Sequence, residues 1–384
     1  MPSDRTPQTL TGRRRFLTVA GATLGGSVAT AGCASVRRLL DAPSLDWRTP
    51  FGSGRWVNSP LTLLDGRILA TDDYSLAAFD AHTGERWWTA GLHFDHMLQG
   101  PVLADDTAVV AKFRRGAYRS DGTEVWTRDD EFEFNPFAAV DDRTVVGSVN
   151  AAERPRAIGT VDATNGDVLW TATPDDGANT SGNYLVSDAV AAGSGVVASA
   201  SDEPLVGLST DGSVQWTVDD DWDAHGPGRP TLAGGGDTVV AASGAVVGVD
   251  PTTGDRRWRH VLPGWASGVT VTDGTAYVTV DNQTPKVDSW DAAGGVLAYD
   301  VADGTERWRT QLPVGATPPA VDGQEVLVGT VEGTLNGLDA ESGARRWNRS
   351  IGSRVNTAPL VGLSGRFVGV VDSDGSAAVA AVSR

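Results

Sequence analysis

Few residues of this chain have the type and spacing that metal or nucleophile chemistry requires. His93 and His96 flank Asp95 in the segment HFDH. Two histidines three residues apart can share a metal, but no third firm ligand lies nearby, so the segment reads as a solvated loop. Asp219, Asp220, Asp221 and Asp223 offer oxygen ligands for calcium, yet their spacing is not that of an EF-hand loop. The chain has one cysteine, Cys33, so an intramolecular disulfide cannot form. No nucleophile elbow, P-loop or dinucleotide fingerprint occurs. The residues thus name no catalytic group, no resident cofactor and no metal site.

The charge balance excludes one partner class. The formal net charge is -18, from 39 Asp and 10 Glu against 29 Arg and 2 Lys. Such an acidic surface repels nucleic acid. Asp-rich, Lys-poor composition is similar to that of proteins from extreme halophiles, so the acidity is read as a halophilic habit and not as a ligand site.

The first residues read as an address. Arg13 and Arg14 form a twin-arginine pair ahead of Phe16 and Leu17, and a mildly apolar stretch follows to Gly32. Thr30-Ala31-Gly32 then places small residues before Cys33. A basic head, a short apolar middle and a small-residue cleavage site make a signal peptide. Twin arginines point to Tat export, and the segment resembles a Tat lipoprotein signal. The expectation is a signal over residues 1–32, a lipidated tether over 33–44 anchored through Cys33, and a location on the outer face of the cytoplasmic membrane. A two-chain lipid anchors stably where one chain is marginal.

Internal repeats set the architecture. FDAHTGERWW (79–88), RSDGTEVW (119–126), VDATNGDVLW (161–170), STDGSVQW (209–216), VDPTTGDRRW (249–258), YDVADGTERW (299–308) and LDAESGARRW (338–347) share one pattern. Each has a glycine four residues before a tryptophan, and five have an aspartate eight before it: Asp80, Asp162, Asp250, Asp300 and Asp339. An apolar strand ends at the aspartate, the glycine supplies a positive φ for the turn, and the next strand carries the tryptophan. A large ring there can cover the junction with a neighbouring unit. Two further strands precede each motif, giving four strands per repeat of about 40 residues, a propeller blade. Trp47 is an eighth motif tryptophan, in SLDWRT (44–49), and the chain ends in three strands with no tryptophan strand (359–383). The fold class is therefore all-β, an eight-bladed propeller over residues 45–384. Its last blade is completed by the N-terminal strand, which leaves no open end.

The D-x-x-x-G-x-x-x-W pattern resembles the PQQ-like (pyrroloquinoline-quinone) repeat family across residues 45–384. That resemblance implies an eight-bladed fold but not one function. The family includes the propeller lipoprotein of bacterial outer-membrane assembly, and it includes quinoprotein dehydrogenases. The dehydrogenases hold PQQ in the funnel between a tryptophan and a bridged pair of adjacent cysteines, with calcium bound by carboxylates and amides. Under that resemblance Trp56 or Trp265 would form the stacking floor, but the single cysteine cannot make the bridge and no C-x-x-C-H haem motif is present.

Spacing places the variable segments. The interval from Trp308 to Trp347 is taken as the plain unit. Longer units insert residues between the second and third strands, at 281–295 and 150–156, or before the first strand, at 173–183 and 219–230. Strand alternation puts both kinds of connection on one face, where binding sites on rigid scaffolds concentrate. The residues entering the first strands of the blades should ring the funnel mouth there. They are Arg55, Trp56, Asn58, His96, Gln99, Asn135, Asn183, Tyr184, His225, Arg229, Trp265, Thr317, Arg354 and Asn356. Arginines, amides and aromatics suit an anionic, aromatic or glycan ligand. The expected function is a monomeric, lipid-anchored scaffold that binds a protein or small ligand through this face. The alternative is a PQQ- and calcium-dependent dehydrogenase of alcohols or sugars.

Overall fold

A computed structural model describes residues 45–51, 61–72, 75–91, 100–110, 115–128, 132–151, 154–173, 186–193, 195–200, 205–218, 230–281, 292–351, 354–355, 360–363, 365–373 and 376–383. The segments expected to be the export signal and the lipidated tether, with Cys33, lie outside these residues. Every described element is a strand. Seven blades are four-stranded antiparallel sheets drawn from consecutive chain: 62–91, 102–128, 133–172, 186–217, 231–261, 265–312 and 320–350. They are blades 1 to 7 below.

The eighth blade is split, as the repeat count requires. Val361–Leu363, Arg366–Ser373 and Ser376–Ser383 supply three strands, and Trp47–Pro50 pairs antiparallel with the last of them, Trp47 opposite Ala381. The short strand Arg354–Val355 pairs with Arg366–Ser373 further along, Arg354 opposite Asp372. Asp46 reinforces the join by accepting hydrogen bonds from Arg366 Nε (2.8 Å) and Ser383 Oγ (2.5 Å). Arg366 also donates to the His82 carbonyl in blade 1 (3.0 Å), tying both ends of the chain to the first blade.

Burial explains why the middle strands read as continuous apolar runs. Successive side chains point to opposite faces of a strand, and here each face meets a different neighbouring blade. In Glu325–Gly329, Val326 and Val328 pack into the seam with blade 6, while Leu327 packs into the seam with blade 8. Eight hydrophobic clusters fill the eight seams between successive blades. The one between blades 8 and 1 joins Phe51, Ile68 and Phe79 to Val368, Val370 and Val379, which closes the ring with core of the same kind as elsewhere.

The repeat motif is the clasp across each seam. Trp308 lies on Gly343 of the next blade, where an added Cβ would come within 2.4 Å of the ring, and its indole N–H donates to the Ala340 carbonyl (2.9 Å). Gly343 sits at φ +69°, so it is required both for conformation and for close approach. The same clasp joins Trp88 to Ser120, Trp126 to Ala163, Trp170 to Thr210, Trp216 to Pro251 and Trp258 to Val301, each indole donating to the named carbonyl. Trp47 lies on Gly84 in the same way. Trp347 faces blade 8, which has no such motif, and donates instead to Glu325 Oε1 of its own blade (2.6 Å).

Candidate functional site

Strand direction sorts the connections onto two faces. On one face they are turns of two to six residues, such as 65–66, 163–167 and 250–255. On the other face lie the long connections 51–61, 92–101, 173–185, 218–230 and 282–293. The length variation expected at 173–183, 219–230 and 281–295 therefore falls on a single face, whereas the extra residues expected at 150–156 largely continue the paired strands Thr144–Ala151 and Arg154–Asp162.

Of the residues expected to ring this face, Asn135, Trp265, Arg354 and Thr317 are described. Asn135 lies on the inner strand Glu133–Ala139 opposite Ser148, and its Nδ2 donates to Ser148 Oγ (3.4 Å). Trp265 opens the inner strand Trp265–Thr272 opposite Asp281, at the root of the 282–293 connection. Arg354 opens the short strand of blade 8. These three stand near the loop-face starts of their strands, in blades 3, 6 and 8. Thr317 is buried, and its Oγ1 accepts a hydrogen bond from Gly329 N (3.0 Å), so it extends the pairing ahead of the first strand of blade 7. Arg55, Trp56, Asn58, His96, Gln99, Asn183, Tyr184, His225, Arg229 and Asn356 lie outside the described residues, as do the HFDH and Asp219–Asp223 segments. Among the described residues no three histidine, cysteine, aspartate or glutamate side chains gather as a metal site would require.

One titratable group of the inner strands went unnoticed in the sequence. Asp188, on Val186–Ala192 of blade 4, accepts a hydrogen bond from Leu232 N of blade 5 (2.8 Å) and one from Ala189 N (2.9 Å). The residue keeps some exposed surface, but its carboxyl group lies inside the seam. Burial there pushes its pKa up to about 7, against the opposing pull of the two amides. Only the fold brings Leu232 onto it, so no local pattern could reveal it.

The motif aspartates behave in the opposite sense. Asp339 accepts hydrogen bonds from the Ser342 hydroxyl and the Ser342 amide (2.7 and 2.8 Å) and pairs with Arg346. These hold its carboxyl down at about 2, the Ser342 hydroxyl first among them. In Asp80 the leading cause is the Thr83 amide, and in Asp300 the Arg307 guanidinium; both are also held below the ordinary value. These carboxylates organise turns and are not poised for proton transfer.

The short-turn face carries an open groove of about 480 Å³ on blade 3, lined by Asp141, Asp142, Arg143, Thr144, Asp162 and Leu169. Sequence reading passed it over, although one sign was present: Leu169 stands where blades 5, 6 and 7 have arginine.

Comparison with known proteins fits this geometry. The family described as outer membrane protein assembly factor BamB matches residues 106–289 and 292–384. The chain belongs to this family. BamB from Moraxella catarrhalis is 18% identical with a TM-score of 0.60, covering 87% of this chain and 99% of that one. The quinohemoprotein alcohol dehydrogenase from Comamonas testosteroni is 16% identical with a TM-score of 0.66, covering 92% of this chain and 78% of that one. The computationally designed Ika8 protein is 16% identical with a TM-score of 0.65, covering 89% and 99%. At these identities the solved structures share the fold alone. No curated protein sequence matches the chain.

Proposed function

We propose that this BamB-family propeller is an exported, lipid-anchored scaffold that holds a protein or ligand on its long-loop face and catalyses no reaction. The observation that carries this reading is the one-sided distribution of connection length. Five connections of ten or more residues share one face, while the opposite face keeps turns of six residues or fewer. Rigid blades that present variable loops on one side make a recognition surface. Trp265 and Arg354, which begin strands on this face, are residue types that anchor protein interfaces. The twin arginines Arg13 and Arg14 and the lipid acceptor Cys33 support export by the Tat route and attachment to the outer face of the cytoplasmic membrane.

The likeness to quinohemoprotein dehydrogenases favours a second reading, a PQQ- and calcium-dependent oxidation in the same funnel. The cysteine count weakens that reading. A chain with one cysteine cannot present the bridged cysteine pair. No catalytic step is derived through the cofactor.

The scaffold reading is tested by affinity capture of the lipidated chain from host membranes in high salt. Trp56→Ala, Trp265→Ala and Arg354→Ala should each weaken recovery of the co-purifying partner while leaving the melting temperature unchanged. Full recovery by all three variants would remove the long-loop face from consideration.

A further inference from the structure

The outer strand of every blade stands last in its sheet, and a strand in that position is a template for pairing with another strand. Charged side chains guard six of the eight edges. They are Arg48 in Trp47–Pro50, Arg86 in Arg86–Gly91, Glu124 in Glu124–Arg128, Arg256 in Arg256–Val261, Glu306 in Glu306–Leu312 and Arg345 in Arg345–Ser350. The adjacent edges of blades 3 and 4, Val168–Ala172 and Val214–Thr217, read VLWTA and VQWT and carry no charge. Val168, Leu169 and Val214 on these two strands are exposed large hydrophobics.

Blade 3 shows how its edge was unguarded. In blades 5 and 6 the residue before the motif tryptophan is an arginine that covers its own motif aspartate, Arg257 on Asp250 at 2.7 Å and Arg307 on Asp300 at 2.6 Å. Arg346 pairs with Asp339 likewise in blade 7. In blade 3 that position is Leu169, 50% exposed, and Asp162 is held from the other side by Arg143 of the 140–143 turn (2.7 Å). A groove of about 480 Å³ lies beside the edge strand there, with Leu169 in its lining. Its lining has three carboxylates and one guanidinium. The Arg143 amide holds the Asp141 carboxyl below its ordinary value, so that group is charged near neutrality. An apolar wall at Leu169 with a net negative rim matches the aliphatic stem and cationic head of a lysine or arginine.

We propose that the outer edge of blade 3 receives an extended, basic segment of a partner protein by strand addition. Val168–Ala172 supplies the main-chain ladder, and the groove of Asp141, Asp142 and Leu169 takes a lysine or arginine side chain from the added strand. A second copy of this chain fits poorly, because it would bring two molecules of net charge -18 together. The site lies away from the long-loop face and stands whether or not that face binds anything.

The test uses the full folded chain and a capped peptide of about ten residues alternating lysine and valine, long enough to span a typical strand. Two controls accompany it: the glutamate–valine counterpart, and a lysine–valine peptide N-methylated at alternate residues so that it cannot complete a ladder. Titration is followed by fluorescence anisotropy at the lowest salt that keeps the chain folded, because salt screens the charge contact. The expected result is saturable one-to-one binding of the lysine–valine peptide alone. Leu169→Arg, which restores the residue of blades 5 to 7, and Asp142→Asn should each weaken it by about tenfold or more at unchanged melting temperature. Equal binding of the N-methylated peptide, or undiminished binding to both variants, would overturn strand addition at this edge. So would sedimentation as a dimer that Val168→Lys converts to monomer, which would make a second copy the occupant.

Discussion

A tryptophan clasped on a glycine is the smallest unit that decides this fold. Two effects are combined at Gly343, a left-handed φ of +69° and a ring where a Cβ would stand, whereas Gly66, at φ +73°, has open space around its Cβ position. Gly66→Ala should therefore cost only the left-handed penalty of about 1–2 kcal/mol. Gly343→Ala should cost clearly more, because Trp308 must also leave its seat; denaturant unfolding of the two variants separates the terms. The acidic residues make a second residue-scale prediction with a defined sign. Asp339 is held at about 2, below its unfolded value, so its contribution is present above pH 4 and is lost as pH falls from about 4 to 2. Asp188 is raised to about 7, so its contribution is present below pH 4 and is lost as pH rises towards and through 7. Asp188→Asn keeps an acceptor for Leu232 N and should gain thermal stability relative to the parent at pH 8 but not at pH 4. Equal melting-temperature differences at the two pH values would contradict this assignment.

At the scale of elements, the split blade is where sequence and structure meet most closely. The tryptophan spacing and the missing last strand were enough to predict that residues 44–49 complete the final blade, because period-two burial and a fixed repeat leave no other place for an unpaired strand. What could not be read was the latch itself. Asp46, Arg366, Ser383 and His82 are distant in sequence and carry no motif, and only closure of the ring brings them together. The site was legible to a lesser degree for the same reason. Connection lengths reveal a face, since each insertion is visible against the repeat. The edge at Leu169 and the seam acid Asp188 depend on neighbours from other turns and blades, which spacing does not encode. Replacing a large buried aromatic by alanine typically costs about 3–5 kcal/mol, and Trp308→Ala should fall in that range. Trp47→Ala should approach it, slightly reduced because the Trp47 indole N–H has no partner among the described residues. Deleting residues 45–50 should lower the melting temperature of the whole ring in one cooperative transition. An unchanged melting temperature, with loss confined to the end of the chain, would refute closure through the first strand.

At the scale of the whole molecule, eight seams of similar core close one ring, and the proposed scaffold asks nothing more of it than its surfaces. A quinoprotein needs a cofactor, a metal and an electron acceptor held together, whereas a scaffold needs only a preformed face. The family and the fold are common to proteins of both kinds, so neither decides between them. The deciding measurement is dye-linked oxidation of a panel of alcohols and sugars by the purified chain, supplied with PQQ and calcium in high salt. Binding of PQQ is followed in parallel by its fluorescence. The account predicts no saturable PQQ binding and no turnover above the protein-free control. Cofactor-dependent turnover that Trp56→Ala or Trp265→Ala abolishes would contradict it and make this propeller an enzyme.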